Sequence, residues 1–516
     1  MSKVLKSVVG VLGLGTMLTA CGSVDFDEAH PASYAIKDTE NTRLGDIAAR
    51  LDAPQWDGQT TPLAGFYPVV SGIEALSLRL ALAEMADSSI DLQYYLIKDG
   101  IAGPVLVGAL LRAADRGVRV RIQLDDIFTK GYDNALMALE AHPNIQIRLF
   151  NPFSNRSVRA MDLHRMRQLN RRLHNKSFTV DGQFTVIGGR NIADEYFAAR
   201  EDSNFQDVDV LGVGPIVDEV ADMFDLYWNS APSIPVSAVN KTVDEDDLDK
   251  LRAYVREVEQ KALASSYGKA VEEDAEALLD NVEDALTWAP YSLIFDSPDK
   301  ALLDKKAQAE TIVPALRGVI SEAQEQLIVV TPYFILMESG FDQLQELTSN
   351  NVRVTIITNS YKSNNHSLVH AGYASQRKAI LRTGATLHEA KFSGVFDETK
   401  RWGIADSGAT LHSKLFFLDE DTVFVGSFNF DPRSANLNTE LGVVIYSEEV
   451  AKIALEGLEE KLNASTYEVQ LTDKDKLVWV DRAGPNDVIF EKEPATSWWG
   501  RTKIRMLGWL PVRSQL

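Results

Sequence analysis

Two stretches of the 516-residue chain carry the same reactive side chains at the same intervals. In the first, His174-x-Lys176 is followed after four residues by Asp181, and after six more by Gly188-Gly189-Arg190-Asn191. In the second, His412-x-Lys414 is followed after four residues by Asp419, and after six more by Gly426-Ser427-Phe428-Asn429. A His and a Lys two residues apart on a strand project to the same face. Each stretch therefore offers a nucleophile or a proton donor beside a fixed positive charge. One stretch is half a site.

The elements that must carry these residues also recur, which marks an internal duplication. SIDLQYYLI (89–97), GVRVRIQLDD (117–126) and LHNKSFTVDGQFTVIGGRN (173–191) return in order as EQLIVVTPYFI (325–335), NVRVTIITNS (351–360) and LHSKLFFLDEDTVFVGSFN (411–429). Short β-branched runs alternate with helical stretches such as 104–116 and 341–349, which predicts an α/β fold with a mixed sheet flanked by helices. Asp181-Gly182 between two apolar runs is a hairpin signal. Two similar domains are expected, at 61–236 and 291–465. Between them, 237–290 is rich in Asp, Glu, Lys and Ala, with clusters at 244–249 and 272–276. Charged surface helices and a partly disordered linker both fit that composition. A linker at 22–60 and a tail at 466–516 complete the expected organisation.

The repeated residues resemble the HxKxxxxDxxxxxxGSxN motif of the phospholipase D superfamily, and the likeness runs from about residue 66 to 447. The second copy is complete. The first has Gly189 where the pattern has Ser, so a hydroxyl contact is expected from Ser427 alone. The resemblance implies two α/β domains packed in one chain with pseudo-two-fold symmetry. It also implies one shared site, with an imidazole on either side of a phosphodiester. One His would attack phosphorus to form a phosphohistidine, while the other protonates the leaving alcohol and later deprotonates the incoming one. His174 is the nucleophile and His412 the acid/base by that likeness; the symmetry of the two stretches does not choose between them. Lys176, Lys414, Asn191 and Asn429 would hold the non-bridging oxygens, a task worth about 3–4 kcal/mol per donor. Accordingly no metal and no cofactor is expected. The family also places a carboxylate beyond the Asn to orient each ring. Glu440 in NTELGVVI and Asp207 in FQDVDVLGV match that position. Asp181 and Asp419 are counted with the catalytic motif, as braces of a turn rather than substrate contacts.

Six arginines (156, 159, 165, 167, 171 and 172) precede the first motif, with Asp162 as the only acid among them. They fit either a solvated helix face or a collar for phosphate groups, in which Arg172 would touch substrate. His366 and His370 are four apart, yet no HExxH pattern or cysteine accompanies them, so a zinc site is not expected. The segment from His370 to Lys378 is similar to one in C-type bacterial cardiolipin synthases. That likeness makes His370 a candidate for the headgroup pocket; an ordinary helix surface is the alternative.

The chain ends speak to location. Lys3 and Lys6 precede an 11-residue apolar run (8–18), too short for a hydrocarbon core that takes about 20 residues, so 1–20 reads as a cleaved signal peptide. Leu18-Thr19-Ala20-Cys21 resembles a bacterial lipobox, with Cys21, the chain's one cysteine, as the lipidated residue. This implies a lipoprotein of the bacterial cell envelope on the periplasmic side, in the outer membrane if the host is Gram-negative. Near the other end, Trp498, Trp499 and Trp509 are interleaved with Arg501, Lys503 and Arg505 before Pro511, which suits the headgroup region of a bilayer. A net charge of −22 argues against a general nucleic-acid partner. Phospholipids and a membrane surface are the expected partners. QYYLIKDG, GVRVRIQLDD, GGRN and the closing WLPVRSQL look like the C-type cardiolipin synthases. The resemblance thus implies phosphatidyl transfer that forms cardiolipin from phosphatidylglycerol and a second phospholipid. A phospholipase D hydrolase releasing phosphatidic acid and a metal-independent nuclease are the alternatives.

Overall fold

Each HxK stretch leads into a β-hairpin. Ser177–Val180 pairs antiparallel with Phe184–Gly188, and Leu415–Leu418 with Thr422–Gly426. In the first turn Asp181 (φ 50°) and Gly182 (φ 59°) are both left-handed, as a two-residue hairpin turn demands. The computed structural model describes residues 24–51, 53–54, 62–156, 158–200, 203–239, 244–303, 309–364, 366–392, 410–509 and 515, with backbone alone for 276–284. Residues 1–20, Cys21 and Pro511 lie outside the described residues.

Around these hairpins the strands of each half follow one order. Leu63–Val69 is followed across the sheet by Asp209–Val213, Phe184–Gly188, Ser177–Val180, Ser89–Tyr94, Arg119–Asp125, Ile145–Phe150 and Ser233–Pro235. Thr287–Phe295 is followed by Leu441–Tyr446, Thr422–Gly426, Leu415–Leu418, Gln326–Val330, Arg353–Asn359, Thr386–Ala390 and Thr466–Leu471. In both halves only the two pairings around the strand from the GVRVRI/NVRVTI segment are parallel. Thr287–Phe295 also joins the halves, since Thr287 to Pro290 pair with Leu63 to Phe66 before the strand turns to its second partner. Among the described residues the result is a mixed, mostly antiparallel sheet of 18 strands flanked by helices.

Burial follows from this layering. One apolar cluster takes residues from both halves, among them Phe66, Ile187 and Val208 with Phe417, Val425 and Val443, so the two halves share a core. Every residue of Ser89–Tyr94 is buried; there Asp91 pairs with Arg121 at 2.7 Å, and Gln93 Nε2 donates to Gln123 at 2.6 Å. Buried polar groups without partners would oppose folding.

The charged segment between the halves folds as two helices, Asp247–Leu263 and Ser266–Ala285. They dock on the first half, with Val255, Ala262 and Val271 buried. Glu259 accepts from Arg112 at 2.6 Å, and Arg252 donates to Asp115 at 2.7 Å. At the C-terminus, Trp498–Leu507 is a helix capped by Ser497, packed on Ser367–Ala374. It buries Ile504 yet leaves Trp498, Trp499 and the following Trp509 61%, 74% and 78% exposed. Among the described residues no helix is long and apolar enough to cross a membrane.

Candidate active site

The backbone before each histidine runs beside the other half. Leu173 bridges Thr439 in parallel; His174 N–H donates to Thr439 O at 2.9 Å, and Thr439 N–H to Arg172 O at 2.8 Å. In the mirror position Thr410–Leu411 pairs in parallel with Phe205–Gln206, and His412 N–H donates to Gln206 O at 2.8 Å. These two small ribbons carry each histidine to a carboxylate of the opposite half. His174 Nδ1 lies 2.8 Å from Glu440 Oε2, and His412 Nδ1 lies 2.5 Å from Asp207 Oδ2. Register makes the carboxylates equivalent: Gly188 faces Asp209 and Gly426 faces Gly442, so Asp207 and Glu440 each sit two residues earlier.

With Nδ1 held by a carboxylate, Nε2 of His174 is the nitrogen left to react, while the Lys414 ammonium lies against the His412 ring, 2.6 Å from Nδ1 and 3.4 Å from Nε2. Burial holds both rings neutral. Desolvation lowers His174 to about 4 against the opposing pull of Glu440, and lowers His412 to about 3 with help from the Lys414 ammonium. Desolvation likewise brings Lys176 down to about 7, and lowers Lys414. Glu440 and Asp207 stay ionised because the nearby cations outweigh their own burial. The two halves share one field, since Lys414 acts on His174 and Lys176 on His412. Two neutral imidazoles beside two buried amines form a site that gains by taking in an anion.

The Gly189 departure has a steric cause. A Cβ there would lie 2.0 Å from Asp207 Oδ1. The shorter carboxylate draws close and leaves no room for a serine. In the other half the longer Glu440 stands off, and Ser427 fills the space: its Oγ donates to Glu440 Oε2 at 2.5 Å and accepts from Leu441 N–H at 3.0 Å. Ser427 is fully buried behind Glu440. Its expected contact with substrate gives way to bracing of the carboxylate.

Several other expected site residues lie differently. Asp181 accepts from the backbone N–H groups of Asp87, Ser88 and Ser89, and Asp419 from those of Gln324, Glu325 and Gln326. Each sits five residues beyond its lysine, roughly 16 Å along the strand, so neither reaches the reacting atoms. Arg172 is fully buried, its Nη1 3.1 Å from Asn151 O and 3.4 Å from Asp125, and its guanidinium lies over Phe153. It belongs to the wall, not to an open phosphate collar. Arg156 is committed to Asp126 and Asp133, Arg159 to the carbonyls of Asp126 and Ile127, Arg165 to Ser154 and Arg171 to the carbonyls of Lys300 and Asn436. Only Arg167 of the six is exposed. His370 is buried against Glu493 at 2.9 Å, between Tyr361 and Tyr373, and so lines no open headgroup pocket. His366 lies against a different ring, that of Tyr333.

Asn191 and Asn429 are buried, and each leaves its side-chain carbonyl without a partner. Asn191 Nδ2 donates to Tyr196 at 3.0 Å. The aromatic walls escaped the sequence analysis. Tyr95 meets His174 edge-on at 5.1 Å; Tyr196 and Phe205 meet His412 at 5.1 Å each, Phe205 stacked. Tyr95 lies within a recurring segment, which was the one available signal; Tyr196 and Phe205 carried none.

Comparison with known proteins agrees with this geometry. The family model described as cardiolipin synthase, PLD-like domain, matches residues 80–228 and 316–461. Cardiolipin synthase C of Escherichia coli (strain K12) is 39% identical over 455 residues, covering 87% of this chain and 95% of its own length. The major cardiolipin synthase of Bacillus subtilis (strain 168) is 24% identical, covering 77% and 70%. Among solved structures, phosphatidylserine synthase of Haemophilus influenzae Rd KW20 superposes with a TM-score of 0.55 at 14% identity, over 92% of this chain and all of that one. That last likeness concerns the fold.

Proposed function

The chain belongs to the cardiolipin synthase family of phospholipase D-like proteins, and on that premise we propose that it is a phosphatidyltransferase forming cardiolipin. The observation that carries the reading is the pair of neutral imidazoles, each held at Nδ1 by a carboxylate of the other half, over two buried lysines. His174 Nε2 attacks the phosphorus of a donor phospholipid. The bond from phosphorus to the donor's headgroup oxygen breaks as the phosphorus–nitrogen bond forms, and His412 delivers a proton to the departing oxygen. The substrate's negative charge supports that proton on His412, offsetting the lysines that lower it in the empty site. His412 then removes the proton from a glycerol hydroxyl of phosphatidylglycerol. The hydroxyl oxygen bonds to phosphorus, and His174 is released. Lys176, Lys414, Asn191 and Asn429 hold the non-bridging oxygens throughout.

The protein works at a membrane surface of the bacterial envelope, tethered through a lipidated Cys21 and steadied by the exposed tryptophans of the C-terminal helix. Those rings and the neighbouring Arg501, Lys503 and Arg505 suit an anionic headgroup layer. Incubation of the purified protein with phosphatidylglycerol and phosphatidylethanolamine, followed by mass spectrometry, should yield cardiolipin. Phosphatidic acid as the sole product would replace transfer by hydrolysis, and metal-independent DNA cleavage in chelator would replace both. Mass analysis of the mature N-terminus should find an acylated cysteine at position 21.

A further inference from the structure

Beside the His174 half of the site lies an apolar cavity of about 300 Å³. Its floor is Ile122 and Leu124 of the strand Arg119–Asp125. Its walls come from three helices: Ala102–Asp115 contributes Val107 and Leu110, Asp133–Glu140 contributes Leu136, and Asp247–Leu263 contributes Val255. The last helix belongs to the segment between the halves, whose composition marked it only as charged. Protein interiors close-pack, and an apolar hole of this size is unfavourable unless something apolar fills it.

The cavity lies next to the reacting centre: its lining residue Asp125 accepts from Leu173 N–H, the residue before His174, at 2.8 Å. Tyr95, edge-on to His174 at 5.1 Å, is edge-on at 5.1 Å to Phe128, which lines the cavity. Leu96 and Ile97 continue the wall, and Ile97 bridges Ile192, the residue after Asn191. Three lining rings, Phe128, Tyr132 and Tyr254, are also 43%, 36% and 42% exposed, so the mouth lies among them. Arg159 donates to the carbonyl of Ile127, the residue before Phe128, and its neighbours Val158 and Met161 are exposed. The exposed rings give the cavity an apolar rim at the surface, with Tyr95 alone between Phe128 and His174.

We propose that this cavity binds one acyl chain of the phosphatidyl donor, the group that becomes attached to His174. The proposal rests on the phosphatidyltransferase reading and adds a chain-length ruler to it. At roughly 30 Å³ per methylene, close to the volume of a water molecule, the cavity takes about ten chain carbons. Burying two more methylenes is worth roughly tenfold in affinity. For the wild-type protein in dilute mixed micelles, kcat/KM should therefore climb from dihexanoyl to about didecanoyl donors and then level off. Val107→Trp and, independently, Leu136→Trp fill the cavity and should flatten that climb by roughly tenfold or more, with dihexanoyl donor turned over as in the wild type.

A variant-independent measurement uses wild-type protein and a phosphatidylglycerol with a diazirine near chain carbon ten. Crosslinks should map to 103–139 and 251–255. A wild-type rate indifferent to chain length, a climb that survives in both active variants, or crosslinks confined to the C-terminal helix would each overturn the proposal while leaving the transferase reading intact. Hydrolysis of a soluble chromogenic phosphodiester with no transfer from donors of any length would instead overturn the transferase reading beneath it.

Discussion

Glu440 accepts from both the His174 ring and the Ser427 hydroxyl, so its charge and its position are coupled. Glu440→Gln keeps the shape but removes the charge that favours the Nδ1–H tautomer. It should lower kcat by roughly 100-fold or more with little change in KM, as steady-state kinetics would show. The Gly189 contact supports a sharper test. Gly189→Ser pushes a side chain into Asp207 and should cost roughly tenfold or more in kcat. Adding Asp207→Glu, which copies the Ser427–Glu440 arrangement, should recover much of that loss; a double variant no better than the single one would refute the steric account. The pH dependence follows from the charges. His174 must be neutral to attack, and its value of about 4 keeps it so well below the usual histidine range. Lys176, lowered to about 7 by burial against the pull of Glu440, Asp207 and Asp209, carries charge only below that value. Because bound substrate supports the proton on His412, kcat at saturating substrate should hold down to about pH 4–5 and fall as pH rises through about 7. In Lys176→Arg the alkaline limb should move upward, since a guanidinium keeps its proton.

Asp181 acts through an element and not through substrate. Its carboxylate accepts three backbone N–H groups that begin the strand Ser89–Tyr94, and it is fully buried. Asp181→Ala leaves those donors without partners and should cost about 2–4 kcal/mol of stability by urea denaturation. Turnover per folded molecule should stay within about threefold, because the site lies at the other end of the strand. A large loss of turnover without loss of stability would return Asp181 to the reacting centre. The helices 247–263 and 266–285 show why composition alone left two readings open. Most of their charges face solvent, yet Val255 and Ala262 on the first helix and Val271 on the second, among the described side chains, are buried against the first half. A sparse stripe of that kind is legible only beside the surface it meets.

On the scale of the whole molecule, a net charge of −22 repels an anionic membrane, whereas the C-terminal helix concentrates aromatic and basic residues in one place. Trp498→Ala and Trp499→Ala together should weaken binding to phosphatidylglycerol vesicles by roughly tenfold or more in a sedimentation assay. Turnover of a soluble diester should be unaffected. Unchanged vesicle binding would leave the tethering to the N-terminus.

The two HxK stretches, their identical intervals and the repeated α/β pattern were legible in the chain, because strand alternation and hairpin turns are set by residues a few positions apart. The same holds for the family, whose motif is a matter of local spacing. What each histidine is paired with was not legible. His174 and Glu440 are 266 positions apart, and His412 and Asp207 205 apart. Sequence placed Glu440 and Asp207 after their own motifs, while the crossing ribbons at Thr439 and Gln206 hand each to the opposite ring. Gly189, a defect when read along the chain, becomes a fit once Asp207 is seen against it. Arg172, His370 and Ser427 had the composition of substrate contacts, and packing turned all three inward. Types and intervals determine which chemistry the chain can carry; distances across the shared core decide which side chains are left to perform it.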